Sequence, residues 1–241
     1  MRVREKSRCK SCLRALTGIF LVTILLGSLS PAIASDKDEA QSIVDKSKGA
    51  LLDITNDEYF SWVHEYLKKA RGVLIFPQII KGGFFVGGSG GTGVLLTRNA
   101  ATGAWSAPAF FTLGSLTFGF QIGGEADEII MVAMDQKAID SLLSSSVKLG
   151  GDVSVALGPI GGGAKGAMNV PEVTADFVSF TKAKGLYAGL NLEGSILQVR
   201  DSLNQAYYGK GIQPSDIILK KEVSNPGANE LRALLGKASA K

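Results

Sequence analysis

Cysteine is missing from nearly the whole chain. Cys9 and Cys12 are its only two cysteines, and both lie in a segment that reads as a removable leader. Arg2, Arg4, Lys6, Arg8, Lys10 and Arg14 form a basic start, and Leu16 to Leu29 is mostly apolar. Ala32-Ile-Ala34 supplies the small residues of a cleavage site. The apolar run falls short of the roughly 20 residues a spanning helix needs, so residues 1–34 are expected to be a cleaved signal peptide and residues 35–241 a single domain. Without cysteine that domain has no disulfide, no thiol nucleophile and no thiolate ligand. Histidine is nearly absent as well. His64 is the sole one, and one imidazole with no thiolate does not make a zinc site.

Acidic residues are absent from the fifty-nine residues between Tyr66 and Gly124. That stretch holds five cations (Lys68, Lys69, Arg71, Lys81 and Arg98), thirteen glycines and seven of the eleven phenylalanines. The full chain carries a formal charge of +4. Removing the leader takes away six cations and one acid, which leaves 20 Lys and Arg against 21 Asp and Glu. The mature domain is thus close to neutral. This excludes a globally basic nucleic-acid binder and leaves the acid-free stretch as its concentrated source of positive charge.

Hydrophobic periodicity predicts an amphipathic helix over 36–54, with Ala40, Ile43, Val44, Leu51 and Ile54 on one face. Its polar face mixes both charge signs, unlike a membrane-surface helix. A second helix is expected from an Asn56 cap to about Ala70, with Lys68 and Lys69 in its last turn, where cations suit the helix dipole. From Gly72 the period changes from 3.6 to two or to continuous apolar runs. Strands are expected over 73–76, 83–88, 93–97, 105–112, 115–122 and 128–134, separated by turn chemistry at Pro77, Gly90-Gly91, residues 99–103 and Gly123-Gly124. Connections this short imply antiparallel hairpins. A short helix is expected over 136–145, strands over 152–157, 164–168, 176–181 and 186–192, and a helix over 196–207. Another short helix at 214–219 precedes a C-terminal one opened by Asn225-Pro226. The fold class is α+β: a strongly curved antiparallel sheet or partly closed barrel, packed with N-terminal, middle and C-terminal helices.

Motifs of chemistry fail their context tests. Gly88-Ser-Gly90-Gly-Thr-Gly93 spells a dinucleotide fingerprint, but a strand-like Val94-Leu-Leu-Thr97 follows instead of a helix, and no ribose-binding acid lies downstream. It reads as a glycine-rich hairpin. Gly158-Pro-Ile-Gly-Gly-Gly-Ala-Lys165-Gly lacks the glycine before and the hydroxyl residue after the lysine that a Walker loop needs. Glu125, Asp127 and Glu128 read as a solvated turn, and His64 as a helix-surface or packed residue. No serine has the setting of a nucleophile elbow. The chain is expected to be no enzyme and to carry no cofactor and no metal.

A set of short landmarks in order resembles the SYLF domain family over nearly the whole mature chain. They include Ala70-Arg-Gly72, Phe76-Pro77, Lys81-Gly-Gly-Phe84, Gly91-Thr-Gly93, Trp105-Ser-Ala-Pro108, Gly119-Phe-Gln-Ile-Gly123, Lys184-Gly-Leu-Tyr-Ala-Gly189 and Tyr207-Tyr-Gly209. The resemblance implies a β-rich, non-enzymatic lipid-binding domain with phosphatidylinositol binding among its relatives. It makes Lys68, Lys69, Arg71 and Lys81 the candidate lipid-binding cluster, with anionic membrane lipids as the partner. The leader implies an exported protein, periplasmic or secreted and peripherally membrane-associated, for which actin is an unlikely partner. The alternative is an envelope protein–protein interaction module that uses the glycine-rich sheet as its surface. Nucleic acid is not an expected partner.

Overall fold

Helix α1 runs Asp36–Thr55 and starts where the sequence provides a cap: the Ser35 hydroxyl accepts from the Asp38 N–H, with Asp36, Asp38 and Glu39 in the first turn. The computed structural model describes residues 35–83, 86–118, 125–159, 173–183 and 192–241. The expected leader, the Gly123-Gly124 turn, most of the Walker-like loop and the strands at 164–168 and 186–191 lie outside those residues. The predicted helix from Asn56 to Ala70 is two elements. Asn56 serves as the C-cap of α1, Asp57 caps a 3-10 turn at Glu58–Phe60, and α2 then occupies Val63–Lys69.

Four long or medium strands follow: β1 Gly72–Gly83, β2 Val86–Thr97, β3 Ala109–Phe118 and β4 Glu125–Ala133. Helix α3 (Gln136–Ser141), β5 (Ser146–Lys148), β6 (Val155–Leu157), β7 (Phe177–Ala183) and β8 (Ile196–Val199) come next. The chain finishes with α4 (Asp201–Tyr208), α5 (Pro214–Ile218), a 3-10 turn at Pro226–Ala228 opened by the Asn225 cap, and α6 (Asn229–Ala238). The described strands form one eight-stranded sheet in the order β5-β8-β3-β2-β1-β4-β7-β6, curled into a half-barrel. Its pairs are antiparallel except β6 with β7, which is parallel, so the sheet is mixed.

Pro77 and Gly90-Gly91, expected as turns, sit inside β1 and β2. The reason is cross-strand. Proline cannot donate to the ladder, and the register of β1 slips between Ile75 and Ile80 against β2 and between Phe76 and Ile79 against β4. The bulge pushes the Ile75 and Gln78 carbonyls towards β2, where a Cβ on Gly93 or Gly91 would collide with them. The glycines therefore accommodate the proline bulge. The expected helix over 196–207 likewise divides into β8 and α4, because Ile196–Val199 pairs with β3 on one side and β5 on the other.

Both sheet faces are buried over the middle of the sheet. On one, α1, α2, α4 and α6 cover Val73, Ile75, Val94, Phe110, Val132 and Phe180. On the other, α3 and α5 and the loops cover Leu74, Phe76, Leu95, Phe111, Met131 and Phe177. Each such fully buried side chain contributes about 1.5–3 kcal/mol relative to exposure. This explains why the strands read as continuous apolar runs.

Candidate functional site

The hairpin of β1 and β2 returns the chain to where it began. Gly72 pairs with Thr97, and one residue further out the Arg98 N–H donates to the Arg71 carbonyl at 2.8 Å. The C-terminal turn of α2 is joined to the start of β1 through buried Ala70, and the Arg71 N–H donates to the Ala133 carbonyl at 2.9 Å. The β2–β3 connection is folded by Asn99, whose side-chain oxygen accepts from the Ala101 and Thr102 N–H groups, and by Gly103 in the left-handed region (φ +69°). These segments enclose a pocket of about 270 Å³ lined by Lys68, Lys69, Arg71, Arg98, Asn99 and Gly103, among others, with no acid among the described lining residues.

Arg98 holds the pocket's shape. Its guanidinium donates to the Lys68 carbonyl at 2.8 Å and to the Gly103 carbonyl at 3.4 Å, and it lies 6.0 Å from the centre of the Trp105 ring. It thereby satisfies an end carbonyl of α2 and ties that helix to the loop. Lys68 is drawn to Glu65 at 2.9 Å, one helical turn earlier. Lys69 and Arg71 are exposed, and among the described residues neither side chain has a carboxylate partner. The arrangement presents positive charge around a concavity, a field that favours an anion.

Three of the four residues singled out from the sequence meet at this pocket; Lys81 does not. It lies ten residues beyond Arg71 along β1, on the order of 30 Å away at 3.3 Å per residue. There its ammonium pairs at 2.5 Å with Asp127 of β4, whose side chain is fully buried. Arg98, which the sequence reading placed in the acid-free stretch but not in the cluster, takes its place. Hairpin arithmetic was the available signal: a register that pairs residue 72 with residue 97 puts 71 beside 98.

The other motifs resolve as structure. The fingerprint-like glycines all lie within β2, the second strand of the β1–β2 hairpin. Gly87-Gly-Ser89-Gly-Gly91 also spells the nucleophile-elbow pattern. It sits in the same extended strand, with the Ser89 hydroxyl 2.7 Å from that of Ser115, so no strained turn presents the serine. Asp127 and Glu128, expected in a solvated turn, are buried on β4. Among the described residues no group of three His, Cys, Asp or Glu could hold a metal ion, and no helix is long and apolar enough to cross a membrane. Burial pushes the Tyr207 hydroxyl up to about 12, with Asp45 adding to it. Burial raises that of Tyr208 as well, while the Tyr208 hydroxyl donates to the Pro108 carbonyl at 2.6 Å. Both phenols therefore stay protonated at physiological pH.

Comparison with known proteins gives the chain relatives. The family model described as "Ysc84: Las17-binding protein actin regulator" matches residues 114–238. The chain is 32% identical over 176 residues to "SH3 domain-containing YSC84-like protein 1" of Rattus norvegicus, covering 73% of this chain and 51% of the relative. It is 32% identical over 170 residues to the protein of the same name in Homo sapiens, covering 70% and 49%. Against "Protein YSC84" of Saccharomyces cerevisiae the identity is 32% over 172 residues, covering 70% and 36%. The chain thus spans about half the length of the animal relatives it matches, and a smaller share of the yeast one.

Proposed function

The chain belongs to the Ysc84 (SYLF) domain family, and from that membership we propose that it is a non-enzymatic domain that binds anionic lipid head groups peripherally in the pocket of Lys68, Lys69, Arg71 and Arg98. The observation that carries this reading is the convergence of four cations on one acid-free concavity from two segments far apart in the sequence. A charge near an anionic membrane surface is worth about 1 kcal/mol. Lys69 and Arg71 have no competing carboxylate among the described residues and contribute fully. Lys68 is partly neutralised by Glu65, and Arg98 acts chiefly as the scaffold. The same reading has residues 1–34 removed on export and the domain periplasmic or secreted, associated peripherally with a membrane.

Co-sedimentation with vesicles tests it. Binding to phosphatidylcholine vesicles doped with phosphatidylglycerol rises with the anionic fraction, falls as salt shortens the screening length, and drops in Lys69→Gln/Arg71→Gln. Equal binding to neutral and anionic vesicles, or none to either, overturns the proposal.

A second reading, a protein-interaction module, has its own support. The family's description names a protein partner and actin regulation, which stands against the expectation that actin is an unlikely partner. The sheet also offers a neutral surface: Ile80, Gly90, Gly114 and Ile196 pair in one row across four strands, with both isoleucines about half exposed. An actin-filament arm beside the vesicles separates the two readings.

A further inference from the structure

His64 makes two hydrogen bonds, and both partners are main-chain carbonyls. Its Nε2 lies 2.9 Å from the Thr55 oxygen, and its Nδ1 lies 2.9 Å from the Ala238 oxygen. A carbonyl only accepts, so each contact needs an N–H on the ring. A neutral imidazole carries one N–H and the imidazolium carries two. The neutral ring can make one of these bonds while turning a lone pair towards the other carbonyl. The protonated ring makes both.

The two carbonyls belong to the last residues of α1 and α6. These are the negative ends of two helix dipoles, where a cation is favoured. The ring itself sits in α2, so a single side chain ties its own helix to the end of the preceding one and to the end of α6, from the far end of the chain. The charged groups on the elements meeting there are Asp53 of α1, Asp57 and Glu58 of the 3-10 turn, Glu65 and Lys68 of α2, and Lys237 and Lys241 at the end of α6. Asp57 is engaged by Lys182 at 3.0 Å and Glu65 by Lys68. The ring's recorded bonds go to neither of these acids.

We infer that His64 is a proton-operated latch: its protonated ring pins the C-terminal ends of α1 and α6 together, and loss of one proton releases one of the two carbonyls. Acid therefore tightens this corner of the helix layer and alkali loosens it. The direction is opposite to that of the acid-sensitive carboxylate pairs elsewhere in the molecule. Lys68 and Lys69 lie one turn further along the same short helix, so the latch steadies the wall of the cationic pocket. It does not depend on what that pocket binds.

His64 is the only histidine, which makes the test direct. Long-range proton–nitrogen correlation spectra of the full chain report the protonation of both ring nitrogens along a pH series from acid to alkaline. Amide protection factors, corrected for intrinsic exchange, are read in parallel for Asn229–Ala238 and, as an internal reference, for β1 and β4. The expected result is that both nitrogens carry protons at the acid end, with protection of α6 about fivefold higher there than at the alkaline end, the worth of one net hydrogen bond. The change is absent from β1 and β4. It is also absent from His64→Gln, whose side chain does not titrate. Protection of α6 that is equal at both ends, or that changes equally in His64→Gln, overturns the inference. If His64→Gln does not fold, the wild-type comparison of α6 with β1 and β4 decides the matter alone.

Discussion

The two ends of β1 each carry a cation and treat it in opposite ways. At Arg71 the strand leaves a helix end, its neighbours are Lys68, Lys69 and Arg98, and the described lining contains no acid. At Lys81 the strand lies beside β4, and the lysine reaches diagonally to Asp127, the residue opposite Ile79, whose carboxylate is fully buried. The sequence offers the same side-chain chemistry at both ends. What separates them is the identity of the strand next door. Positive charge available for a ligand is charge the fold has left without a partner, and that is a property of register.

The largest way to break this contrast is at the buried end. Replacing Lys81 with Met leaves Asp127 charged and unpaired in the interior, a change that costs about 3–5 kcal/mol. Urea denaturation should show it, and Lys81→Met/Asp127→Leu should recover most of the loss, since an apolar pair avoids the stranded charge. The folded fraction of either variant should bind anionic vesicles like the wild type. A fall in vesicle binding without loss of stability would place Lys81 in the ligand site after all.

At the open end the expectation is reversed. Lys69→Gln/Arg71→Gln should leave the urea midpoint nearly unchanged, within about 0.5 kcal/mol for exposed substitutions. Affinity for anionic vesicles should fall by about 2 kcal/mol, or roughly thirtyfold.

Acid offers a third test, at pairs outside both ends. The Lys182 ammonium and the Tyr59 N–H hold Asp57 below the usual carboxylate range. At Asp176 burial pushes upward, but the bonds from Ser154 and Lys137 outweigh it and keep the group low. Carboxyls depressed in the folded state stabilise it above their unfolded value of about 3.9 and lose that contribution as pH falls through and below that value. Thermal melting followed from pH 7 downward should therefore decline in that acid window, and Asp176→Asn should flatten the decline.

The smallest effect sharpens the contrast within the pocket. Glu65→Gln frees Lys68 from an exposed pair worth about 0.3–0.5 kcal/mol, so vesicle affinity should rise by about twofold in a titration at low salt.

Much of the fold could be read from the sequence, because most of its elements are decided locally. The stripe of Ala40, Ile43, Val44, Leu51 and Ile54 is buried along α1 as its spacing requires, and Asn225-Pro226 opens the final helical segment. Pro77 and Gly90-Gly91 misled because their roles are not local. A proline in mid-strand is tolerable only because two glycines on the neighbouring strand make room for its bulge, and that match appears only once the strands are paired. The candidate site followed the same division. Lys68, Lys69 and Arg71 are contiguous and were found together. Arg98 arrives by the hairpin, and Lys81 is removed by an aspartate forty-six residues downstream.

The outermost described strands, β5 and β6, are three residues each, and β6 runs parallel to its neighbour. The long, glycine-rich β1 and β2 have partners on both sides in the middle of the sheet. A second molecule approaching either described margin therefore finds only a stub of unpaired main chain to extend. An exposed strand edge is a template for another chain to pair with, and the strand order keeps β1 and β2 off both described margins. The pairing capacity of β1 and β2 is thereby used within the sheet, provided the central hairpin stays closed.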